Sequence, residues 1–141
     1  KNIDKYENKS AEDIKSFMNE NYQININSQI MIDSFQGSIE KAIQLKDKQE
    51  ECEKIEQIIY SLKNKDKIDI LNMAEPIYKA KDNKNDVLDY INIVLISLAK
   101  KSSKYANCIK IVENTKKRLQ SNANYDMSID NMLLNLWEEV N

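Results

Sequence analysis

Apolar positions along most of the 141-residue chain recur three and four apart, the period of an amphipathic helix. Ser10-Ala-Glu-Asp13 has the form of a capping box, with Asp in the place usually held by Glu. Ile14, Phe17 and Met18 follow at helical spacing and predict a helix over about 11–21. The next stretch, QININSQIMIDSFQG, is mixed. Ile24/Ile26 and Ile30/Ile32 alternate as strand residues do, but two isolated short strands make a poor sheet. Ile26, Ile30 and Phe35 also share a helical face, so a helix is expected over about 27–36, stopped by Gly37. Ser38 then caps a short helix carrying Ile39, Ala42 and Ile43.

The charged run KDKQEE leads into a longer helix whose apolar face is Cys52, Ile55, Ile59 and Leu62. Asp66 is the expected N-cap of the next, with a face of Ile68, Leu71, Ala74, Ile77 and Tyr78. Pro76 lies inside that pattern and should kink or restart the helix near Glu75. After the polar linker KDNKND come Val87, Leu88, Ile91, Val94, Leu95, Leu98 and Ala99, apolar on most sides, which predicts a helix in the middle of a bundle. Tyr105, Cys108, Ile109, Val112 and Leu119 mark a further helix, with Glu113 and Lys117 placed as an i,i+4 pair. In the last stretch, Asn124 is the expected N-cap and Asp126 complements the helix dipole. Tyr125, Ile129, Met132, Leu133, Leu136, Trp137 and Val140 then form one continuous apolar stripe. The pattern predicts an all-α protein: three short helices over 1–46, then about five longer ones forming a bundle over 47–141.

Composition supports the helical reading. One Gly and one Pro are too few for a turn-rich β fold. A net charge of −2 and a pI near 5.3 are not the balance of a domain that binds DNA on its own. The longest apolar run, Ile91 to Ala99, is too short to span a membrane, and the polar N-terminus is unlike a signal peptide. Because Lys1 rather than Met opens the chain, a piece of a longer protein is expected. Cys52 and Cys108 are lone cysteines and there is no His, so we expect buried thiols in a reducing cytosol and no metal site. One Gly cannot make a phosphate loop, and no carboxylate pair stands out for acid–base work, so no catalytic residue and no cofactor are expected. Lys116, Lys117 and Arg118, with Lys100, Lys101 and Lys104, could touch phosphates but read first as solvated charge. Trp137 reads first as core and second as an interface anchor.

Two stretches resemble a known family. GSIEKAIQL, residues 37–45, resembles the end of the small helical lid domain of AAA+ clamp-loader subunits, with a Gly-Ser turn and a small residue, Ala42, five positions after the Gly. In the ATP-hydrolysing members an Arg three residues after the Gly reaches the nucleotide, and here Glu40 stands there, whose charge would repel a triphosphate. YANCIKIVENTKKRLQ and NANYDMSIDNMLLNLWEEV look like the last two helices of the delta-prime subunits of bacterial DNA polymerase III clamp loaders. Pro76 departs from the family pattern. The resemblance implies an AAA+ lid-type segment at 1–46 and a helical collar (oligomerisation) domain at 47–141. It implies a non-catalytic scaffold in a bacterial cytoplasmic ring with the ATPase subunit and the delta subunit. That ring loads the β sliding clamp on primed DNA. Trp137, Met132, Lys116, Lys117 and Arg118 are then the candidate interface residues. Two alternatives remain: the C-terminal part of the ATPase subunit of the same loader, and an unrelated helical adaptor that binds a peptide or helix in an apolar groove.

Overall fold

The structure, a computed structural model, describes residues 9–141. The first eight residues of the expected lid-type segment therefore lie outside the described residues. The protein is all-α, with no strand among the described residues. It forms two compact units, one reaching to Glu53 and the other covering Lys54–Asn141.

The first unit holds α1 (Ala11–Tyr22), α2 (Gln29–Ser34) and α3 (Ile39–Leu45). Each starts on a serine: Ser10, Ser28 and Ser38 side chains accept from the backbone N–H three residues on. That satisfies one orphan donor per helix, worth about 1 kcal/mol each. The alternating Ile24/Ile26 segment is irregular rather than strand, and helix begins only after Ser28. Gln36 and Gly37 both have positive φ, at 50° and 76°, which ends α2 and turns the chain so that Ser38 N–H reaches Phe35 O. α1 packs on α2 and α3, and Met18, Met31, Phe35 and Ala42 are fully buried.

A 3₁₀ turn at Lys46–Lys48 leads into α4 (Gln49–Ser61), inside which the division between units falls. The second unit continues with α5 (Lys67–Asn72), α6 (Glu75–Lys79), α7 (Lys84–Ala99), α8 (Lys104–Gln120) and α9 (Tyr125–Val140). Cys52, Ile55, Ile59 and Leu62 are buried as their spacing predicts. Asp66 caps α5, accepting from Asp69 N–H. Pro76 sits in the first turn of α6, where its missing N–H breaks no hydrogen bond, and the helix does restart at Glu75. That restart changes the phase. Ile70 is buried on α5, whereas Ile68, expected on the inner face, is 69% exposed. A single period run through 68–78 fails because two short helices, not one, occupy it.

α7 begins at Lys84, so half of the expected polar linker is helix and the rest is the 3₁₀ turn Lys81–Asn83. α7 buries Val87, Leu88, Ile91, Val94 and Leu95 but leaves Ile96 half exposed. α8 packs along α7 and α9, and α7 also meets α4 through Tyr90 and Glu56. α9 also packs against α5 and α6. The link between α8 and α9 explains its asparagines. Asn122 takes φ 63° just past the end of α8, while Asn122 N–H and Ala123 N–H reach Leu119 O and Arg118 O. This is the hydrogen-bond pattern that closes helix C-termini on a left-handed residue. Two residues on, the Asn124 side chain accepts from Met127 N–H and opens α9.

Candidate functional site

The α9 stripe is spent on the core of its own unit. Tyr125, Ile129, Met132, Leu133, Leu136 and Val140 are buried, and Ser128 joins them. Met132, expected at an interface, has no exposed surface and packs inside the unit. Trp137 is half-buried, and its Nε1–H donates to Lys65 O at 2.7 Å. The Lys67 ammonium lies 5.2 Å from the ring centroid and 2.9 Å from Glu138. Asn141 Nδ2 donates to Leu62 O at 2.8 Å. The end of α9 thus holds the chain leaving α4, satisfying carbonyls that a helix C-terminus leaves without partners. The first role of Trp137 is this internal tie.

The three basic residues of the KKR run part company. Lys116 is drawn toward α7, 2.5 Å from Asp89 and 3.9 Å from Glu113, and its hydrogen bond to Asp89 holds its pKa above the ordinary lysine value. Glu113 does not pair with Lys117 as the spacing predicts. Its Oε1 accepts from Asn92 Nδ2 at 3.0 Å, because Asn92 is buried between helices and its amide needs a partner more than an exposed lysine does. Lys117 and Arg118 are exposed, with no ion pair among the described residues. Glu40 is exposed in the first turn of α3, where a carboxylate suits the helix dipole.

Some polar positions inside the bundle escaped the sequence reading. Glu56 is 7% exposed, and its Oε2 accepts from Tyr90 O–H at 2.7 Å. The signal was present: Glu56 lies four residues after Cys52, on the apolar face of α4, and an acid there requires a buried donor. Tyr125 O–H donates to Ile77 O at 2.6 Å, and burial pushes its pKa up to about 12, with the Asp126 charge adding to the effect. Burial likewise raises Tyr78, whose hydroxyl is hydrogen-bonded to Asp130. Cys52 and Cys108 form no disulfide and are buried, and burial pushes the Cys108 thiol up to about 12, far from a reactive thiolate.

An open cleft of about 630 Å³ lies between α5, α6 and the start of α9. Charged and polar side chains, among them Glu75, Lys79, Lys81 and Asp126, line it together with Leu71 and Tyr125. It is not the deep apolar groove that a helix-binding adaptor would need. Among the described residues no group of three or more His, Cys, Asp or Glu side chains could hold a metal ion, and no helix is long and apolar enough to cross a membrane. No protein-family model matches the chain, and no curated protein or solved structure is similar enough to match it.

Proposed function

We propose that this chain is a non-catalytic scaffold, the lid-and-collar part of a delta-prime-type subunit of a bacterial, cytoplasmic DNA polymerase III clamp loader. Its work is to join a ring with the ATPase subunit and the delta subunit. Through that ring it serves the loading of the β sliding clamp on primed DNA. The supporting observation is the surface the helices leave over. Ile68 on α5 is 69% exposed, Met127 on α9 is 71% exposed and Ile96 on α7 is 50% exposed, while the apolar stripe behind them is complete. Exposed Ile and Met side chains are groups that a neighbouring subunit would cover, and Met is enriched at interfaces. Glu40 in the place of a nucleotide-reaching Arg favours this reading over the ATPase subunit of the same loader. Size exclusion of the chain mixed with the ATPase and delta subunits of such a loader tests the proposal. Co-elution is expected, and separate elution across several salt concentrations would count against it.

A further inference from the structure

We propose that the solvent face of α8 binds the phosphate backbone of duplex nucleic acid. The acidic balance of the whole chain conceals a strong local charge. Residues 100–121 carry seven cations and one acid, Glu113, a net charge of +6 in a chain whose total is −2, so the remainder carries −8. Arg118 is the only arginine in the protein. The one acid within this segment is engaged toward α7, while Glu139 of α9 accepts from Asn107 beside the face. Glu113 is turned to Asn92 and Lys116 on the α7 side, and Lys116 itself is occupied by Asp89. Lys104, Lys110, Lys117 and Arg118 remain exposed, with no ion pair among the described residues.

These cations form a broad band along one side of α8. At 1.5 Å per residue, Lys104 and Arg118 lie ~21 Å apart along the helix, with Lys110 between them and Asn114 on the same outward face. Lys100 and Lys101, exposed in the turn before the helix, add two more cations. A band of flexible cationic side chains suits the phosphates of a nucleic-acid backbone, and asparagine adds neutral donors of the kind that hold phosphate oxygens. Single strands are bound on exposed aromatic platforms. The one aromatic residue in 100–121 is Tyr105, which is buried. The face therefore offers backbone contact without base stacking, which favours a duplex. This inference does not rest on the scaffold reading, and either can fail while the other stands.

Fluorescence anisotropy of a labelled 20-base-pair duplex of arbitrary sequence, titrated with the 141-residue chain, tests it. Binding in the ~1–100 µM range of non-specific contact is expected at low salt, falling steeply as salt rises. In the variant K110E/K117E/R118E affinity should drop at least tenfold, and the slope of log K against log salt should shrink by about 0.9 per lost contact. All three side chains are exposed, and circular dichroism checks that the variant folds. K79E/K81E, on the α6 side, should bind as the parent does. No duplex binding at low salt, or unchanged binding by the triple variant, overturns the proposal. So does equal displacement of the duplex by polyglutamate at matched charge, or a preference for phosphatidylserine vesicles over duplex.

Discussion

At the scale of single residues, buried polar atoms add specific ties to the apolar core of the bundle. Tyr125 is buried with its hydroxyl on Ile77 O, and Cys108 has no exposed surface. Both release their proton far less readily than usual, each pushed up to about 12 from ordinary values near 10 and 9. The folded state holds these protons more tightly than the unfolded chain does. Their contribution is therefore complete below pH 9 and is lost as pH rises toward 12. Denaturant midpoints should fall steeply across that window. Tyr125→Phe should lower stability by about 1–3 kcal/mol at neutral pH, by leaving Ile77 O unsatisfied, and should make the alkaline fall shallower. A variant with the parent's alkaline slope would show that Tyr125 does not carry the effect. Thiol titration of the native chain at pH 8 should find Cys108 unreactive until denaturant is added.

Elements show where the sequence was legible. Ser10, Ser38, Asp66 and Asn124 were readable as caps because a cap is a local matter between one side chain and its own helix, whereas Ser28 was hidden inside the helix expected from about residue 27. The α9 stripe was readable because sixteen residues are long enough to fix a helical phase. Ile68 and Ile70 were not, since α5 has six residues and Pro76 resets the phase before a second turn can confirm it. Trp137 was half legible: its place on the stripe could be read, but a hydrogen bond to Lys65, 72 residues away in sequence, could not. The same holds for Lys116, whose partner Asp89 is on another helix. Two predictions separate core from surface on α9. Met132→Ala should cost about 2–5 kcal/mol in denaturant unfolding, as a fully buried side chain does. Trp137→Phe should cost ~1 kcal/mol through the lost tie to Lys65. Near-parental stability in Met132→Ala would place that residue on the surface instead.

For the whole molecule, the all-α class followed from scarce Gly and Pro and a sustained helical period, and the structure has that class. The candidate interaction surface was much less legible, because a surface is what remains after the core has taken its share, and that share depends on which helices meet. Met132 was drawn inside, Trp137 and Lys116 were tied to neighbours, and Lys117 and Arg118 stayed outside, as did Ile68, Ile96 and Met127. The central claim is that these leftover apolar side chains join the chain to the ring of a clamp loader. Sedimentation velocity of the chain with the ATPase and delta subunits, using the parent and the double variant I68D/M127D, tests it most directly. The account predicts a hetero-complex for the parent and at least tenfold weaker assembly for the folded double variant; no complex with the parent, or equal assembly by both, would contradict it.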